Sequence, residues 1–139
     1  DAVEIARHFK AAGADMIDCS SGQVSAHQKP VYGRMYQTPF ADRIRNEAGI
    51  PTIAVGAISE ADHINSIIAA GRADLCAVAR PHLANPAWTL LEAAKIGYHA
   101  MPWPKQYLTA KSQLERNLER ERALADAGAA EQAKRAMEI

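Results

Sequence analysis

Three short apolar runs, each closed by small or turn-forming residues and each preceded by a helical pattern ending at a glycine, constrain this chain more than any other feature. They are residues 15–19 (DMIDC) before Ser20, Ser21 and Gly22, residues 51–55 (PTIAV) before Gly56, and residues 74–79 (DLCAVA) before Arg80. Near-continuous apolar character, without strict alternation, suits parallel strands buried on both faces.

The stretches between them carry helical periodicity. Val3, Ile5, Ala6 and Phe9 form a stripe that stops at Gly13, and Phe40, Ile44 and Ala48 form another that stops at Gly49. Ser59, with Asp62 three residues on, reads as a variant capping box for a helix through Ile64, Ile67 and Ile68 that ends at Gly71. Asn85 and Pro86 read as cap and first-turn proline of a helix through Leu90, Leu91 and Ala94 to Gly97. The resulting order, α-β-α-β-α-β-α, implies right-handed crossovers and a parallel sheet. Residues 23–38 form a longer polar loop with Tyr32 and Tyr36. It lies after the C-terminal end of a strand, where α/β folds place their chemistry.

The end of the chain has another character. Residues 101–105 (MPWPK) are expected to run extended over the surface, and from Ser112 the composition is that of a solvated helix. Its stripe, Leu114 and Leu118, is thin, and Gly128 predicts an interruption. Glu131 and Arg135, spaced i,i+4, read as a solvated pair. The expected division is residues 1–108 as barrel and 109–139 as a charged helical tail.

Sixteen basic residues balance sixteen acidic ones, so no general field attracts nucleic acid or an anionic membrane. No apolar stretch approaches the roughly 18 residues of a membrane span. Cys19 and Cys76 lie apart inside apolar runs and read as buried thiols in a reducing cytoplasm. No metal-ligand cluster, nucleophile elbow or Walker loop is present.

The chemical signal lies at the C-terminal end of each run. Gly56 leaves room for a ligand to approach its own amide and that of Ala57. Ala79 and Arg80 offer a second pair of amides and a guanidinium fork that matches phosphate oxygens. Read singly, Val–Gly is a common turn and a strand-end arginine is often a surface ion pair. Placed on consecutive parallel strands, the two fit a phosphate cradle of the kind barrel enzymes build after their last strands as readily as they fit a turn and a surface ion pair. Ser20, Ser21 and Gly22 can hydrogen-bond a polar ring edge or simply form a turn. His27, in the polar loop, is the one histidine away from helices; the bland alternative is exposure.

Residues 15–22 (DMIDCSSG), 38–58 (TPFADRIRNEAGIPTIAVGAI) and 70–88 (AGRADLCAVARPHLANPAW) resemble the C-terminal part of the Old Yellow Enzyme family of NAD(P)H:flavin oxidoreductases. Residues 19–40, 79–90 and 103–107 (WPKQY) look most like one branch, the C-terminal reductase module of salicylyl-CoA 5-hydroxylase and 2-aminobenzoyl-CoA (anthraniloyl-CoA) monooxygenase/reductase. The resemblance covers about residues 1–108. It implies the sixth to eighth strands of a (β/α)8 barrel, about three βα units, with FMN as cofactor and NAD(P)H as electron donor. Gly56, Ala57, Ala79 and Arg80 would take the FMN phosphate, with Arg80 also near the flavin ring, while Ser20, Ser21 and Gly22 border the flavin and ribityl side. Gln106 and Tyr107 match an end motif that in some members reaches a neighbouring subunit. Two departures stand out: Ala79 where many members have glycine, and Leu108 and Thr109 where an arginine often comes after the Gln–Tyr pair.

A complete barrel of this type takes roughly 250 residues, so the 139 residues, opening at Asp1, are expected to be a piece of one. The catalytic residues of the family would then lie upstream, and the piece alone is expected to be inactive. The expected substrate is a small molecule, an acyl-CoA if the resemblance to that branch holds. The expected structural partner is the rest of the barrel or a sister chain in a homo-oligomer. Two other readings stay open: a non-redox barrel, isomerase or aldolase, with the same phosphate cradle, and an interaction module acting through the tail.

Overall fold

The apolar runs pair as parallel strands in the order in which they occur. A computed structural model describes residues 1–22 and 24–137, the side chain of residue 135 excepted. Its sheet consists of β1 (Ile17–Cys19), β2 (Thr52–Val55) and β3 (Leu75–Ala77), ordered β1-β2-β3. Ile17 lies opposite Thr52, Cys19 opposite Ala54, and Val55 opposite Ala77, so all three strands end on one rim. The helices between them are α1 (Ala2–Ala11), α2 (Thr38–Arg43) continued by a π-helical turn (Ile44–Ala48), and α3 (Ala61–Ala69).

Small residues set the spacing of the layers. Ala41 of α2 and Ala54 of β2 are both fully buried, which lets the helix lie close to the sheet. The Thr52 hydroxyl, also fully buried, donates to the Ala41 carbonyl at 3.3 Å. Ile50 and Ile67 are the largest apolar side chains completely enclosed.

Charged groups latch the periphery. Asp74 Oδ2 accepts from Arg45 Nε at 3.0 Å and from the Thr52 amide at 2.9 Å. Arg72 Nε donates to Asp42 at 2.9 Å, and Lys10 Nζ reaches the Gly49 carbonyl at 2.8 Å.

The chain divides into two compact units, residues 1–86 and 87–139. The first holds the sheet and a short helix α4 (Arg80–Ala84). The second holds α5 (Trp88–Lys95), a 3-10 turn (Lys105–Tyr107) and α6 (Leu108–Met137). Within the second unit, Lys111 Nζ donates to the His99 carbonyl at 2.8 Å, and the His99 ring meets the Glu115 carboxylate at 2.9 Å. Beyond Arg122 the described side chains of α6 are exposed. Among the described residues no helix is long and apolar enough to cross a membrane.

Several local expectations change. Ser59 does not cap α3; the cap position is Glu60, and no side chain bonds there. The helix expected to open at Asn85 and Pro86 starts at Trp88. The tail helix starts at Leu108 rather than Ser112 and runs unbroken through Gly128. Alanines and other good helix formers around Gly128 offset its cost of about 1 kcal/mol. Gln23, the first residue of the polar loop, and the Arg135 side chain of the Glu131–Arg135 pair lie outside the described residues.

Two outcomes are expected. Gly128→Ala raises helicity by circular dichroism and stabilises α6 by up to about 1 kcal/mol. For Asp74, the Arg45 hydrogen bond, and after it the Thr52 amide, holds the carboxyl below its ordinary 3.8. A depressed folded value means that stabilisation is present above the unfolded value and lost as pH falls through the folded one. The urea midpoint therefore falls on acidification below about pH 4, and Asp74→Ala shows a shallower fall from a lower starting point.

Candidate functional site

Parallel register brings the three post-strand segments to one rim, and two open cavities lie there. The first, about 480 Å³, is lined by Gly56 and Ala57 after β2, Ala79 and Arg80 after β3, and also by Arg34 and Ser59. The second, about 750 Å³, is lined by Ser20, Ser21 and Gly22 after β1 and by Tyr32 and Tyr36 of the polar loop. Ala57 and Arg80 belong to both walls. The seven residues read from the sequence as cofactor-binding candidates thus line these two adjoining cavities, and Gln106 and Tyr107 of the end motif line neither. His27 lines neither cavity; it is exposed in a turn where its amide bonds Ser25 Oγ at 3.2 Å.

β3 stops at Ala77, two residues earlier than its apolar run suggests, and Ala79 turns the chain into α4. Arg80 is therefore the first residue of a five-residue helix that the sequence pattern does not disclose. Its side chain is exposed and forms no hydrogen bond or ion pair among the described residues.

The residue that organises the rim is Gln37, which no sequence pattern singles out. It is 4% exposed. Its Oε1 accepts from the Ser21 amide and, at 2.7 Å, from the Ser21 hydroxyl. Its Nε2 donates to the Val55 carbonyl at 3.0 Å. One amide thereby joins the ends of β1 and β2. The only sequence hint is its place at the close of the polar loop, one residue before α2.

Gly56 has a different reason from the one its sequence suggests. Its φ is +105°, and a Cβ there would lie 2.5 Å from Gln37 Nε2 and 2.9 Å from Tyr36 Cε1. The missing side chain admits the protein's own Gln37 and Tyr36, and the turn after it stays open to the cavity. Ala57 continues with φ +50°, its carbonyl accepting from the Met35 amide at 3.2 Å. Behind the turn, the Ser59 amide donates to Nδ1 of the buried His63 at 3.4 Å.

The cysteines offer no nucleophile. Burial, with Asp18 adding to it, pushes the Cys19 thiol up to about 11, and burial raises Cys76 as well. Among the described residues no group of three His, Cys, Asp or Glu side chains could hold a metal ion.

Residues 1–97 match the NADH:flavin oxidoreductase / NADH oxidase family, a span that includes every residue of both cavities. The chain belongs to that family. It is 43% identical over 107 residues to an NADPH dehydrogenase of Halalkalibacterium halodurans, covering 77% of this chain and 31% of that protein. Against the NADPH dehydrogenase of Geobacillus thermodenitrificans it is 42% identical over 97 residues, 70% of this chain and 28% of the relative. The Listeria innocua enzyme of the same name is 39% identical over 110 residues, 79% and 32% of the two chains. The chain thus spans under a third of the length of these relatives. An α/β unit with three parallel strands is consistent with part of a flavin oxidoreductase barrel.

Removing the amide bridge tests the rim's architecture. Gln37→Leu leaves the Ser21 amide and the Val55 carbonyl without this partner and is expected to cost about 2 kcal/mol in urea denaturation. Gln37→Glu keeps the acceptor but loses the donor to Val55 and buries a carboxylate against that carbonyl, so it is expected to cost at least as much as Gln37→Leu at neutral pH.

Proposed function

We propose that this chain is the FMN-phosphate-holding arc of an NAD(P)H-dependent flavin oxidoreductase with a (β/α)8 barrel. The observation that carries the reading is the shared cavity: Gly56, Ala57, Ala79 and Arg80 line one space within the segment that matches the flavin oxidoreductase family. The residues present fit the group. An exposed guanidinium without an ion pair among the described residues suits phosphate oxygens, and Ser59 stands on the same wall.

In this reading Arg80 anchors the phosphate, and the Gly56–Ala57 and Ala79–Arg80 segments supply backbone amides. Ser20, Ser21 and Gly22, with Tyr32 and Tyr36, border the flavin ring and ribityl chain in the larger cavity. Because Arg80 lines both cavities, it holds positive charge between the phosphate end and the ring end. Bound FMN would supply the redox chemistry, accepting hydride from NAD(P)H and delivering it to an activated alkene or dearomatised ring. The chain's own part is position and electrostatics. Groups that bind substrate and move protons are assigned to other strands of the barrel, so these residues alone are inactive. Resemblance to the aryl-CoA reductase modules extends the substrate to an aryl-CoA thioester, which competition by CoA thioesters in a turnover assay would check.

The sheet needs neighbours. Ile5, Phe9 and Phe40 are about half exposed and line an apolar groove of about 380 Å³ beside β1, and Leu75 is 52% exposed on β3. Open strand edges of this kind are covered in a closed barrel; further strands of the same barrel, or a sister chain in a homo-oligomer, take that place here. A non-redox isomerase or aldolase would use the same phosphate cradle, but the family match favours the flavin.

The full-length protein is expected to purify with flavin absorbance, and Arg80→Ala to weaken FMN binding about tenfold. Gly56 is a poor probe, since any side chain there strikes Gln37. A colourless full-length protein that ignores added FMN would overturn the reading.

A further inference from the structure

We infer that Arg34 is a second cationic contact for the cofactor's phosphate, acting from the polar loop alongside Arg80; this rests on the phosphate reading above and deepens it. Arg34 lines the smaller cavity together with Gly56, Ser59, Ala79 and Arg80, and does not line the larger one. It is therefore confined to the end assigned to the phosphate, whereas Arg80 spans both. Like Arg80, it is exposed and forms no hydrogen bond or ion pair among the described residues. Other arginines of the first unit are engaged: Arg7 with Glu4, Arg43 with Glu47, Arg45 with Asp74 and Arg72 with Asp42. Two unengaged guanidiniums lining one cavity suit a phosphomonoester dianion, which offers oxygens to both forks.

The position of Arg34 is set by its neighbours. The next residue, Met35, donates its amide to the Ala57 carbonyl at 3.2 Å. Tyr36 and Gln37 then fill the space over Gly56, and Gln37 bonds Val55 and Ser21. Four consecutive residues, 34–37, thus serve one turn: three clamp it and the first presents a charge to the cavity beside it. An exposed loop arginine with no such clamp would be an ordinary solvated side chain.

The test compares FMN with riboflavin, which has the same ring and ribityl chain without the phosphate. In the full-length apoprotein, fluorescence titration is expected to show Arg34→Ala weakening FMN about tenfold while leaving riboflavin within twofold. Arg34→Lys should recover part of the loss, since charge returns without the fork. Raising salt should shrink the FMN gap between wild type and variant. The melting temperature of the apoprotein serves as the folding control and should not move. Equal weakening of FMN and riboflavin, or no weakening of either, overturns the role of Arg34. So does an effect confined to the KM for NADPH relative to NADH, which would give Arg34 to a different phosphate. Arg80→Ala, run in parallel, separates the two claims. If it distinguishes FMN from riboflavin and Arg34→Ala does not, only the second contact falls; if neither does, the phosphate site itself is misplaced.

Discussion

A single buried carboxamide sets the geometry on which the rim depends. Strand ends are weak points in any parallel sheet, because pairing stops there and the backbone must find new partners. Gln37 supplies them on both sides at once, accepting from Ser21 and donating to Val55. An amide is the side chain that can accept at one end and donate at the other in this planar arrangement; a carboxylate or an ammonium offers one of those functions only. With its oxygen and nitrogen both occupied, the amide has one orientation, and the segments after β1 and β2 are fixed relative to each other. The cavities inherit that fixity.

The strands and their order were legible because residues 15–19, 51–55 and 74–79 are near-continuously apolar and each is closed by small or turn-forming residues. Burial on both faces was not reached, since Asp18 is exposed on β1 and Leu75 is 52% exposed on β3. The ends of the elements were not. β3 stops at Ala77 although Val78 and Ala79 remain apolar, since pairing depends on the partner strand and β2 ends at Val55. Helix α4, five residues long with a proline in its first turn, is too short to display a period. Gly128 carries a real local penalty, but a penalty near 1 kcal/mol does not decide a helix with thirty residues to contribute.

Of the site, the glycine and the arginine were visible and the glutamine was not. Gly56 and Arg80 announce themselves by residue type after an apolar run. Gln37 is polar in a polar loop, and its importance arises from partners 16 and 18 residues away. No local pattern encodes such a contact. The same holds for the purpose of Gly56, whose open space the sequence offers to a ligand and the fold gives first to Tyr36 and Gln37.

The close approach at Gly56 has a consequence for how this sequence can drift. Position 56 is held to glycine by its own φ of +105° and by Tyr36 and Gln37 packed where a Cβ would stand, and shortening 37 alone opens a hole at the strand ends and leaves two backbone groups without this partner. The constraint therefore runs one way: no replacement at 37 frees 56, while any replacement at 37 must still serve the Ser21 and Val55 backbone beside a bare turn.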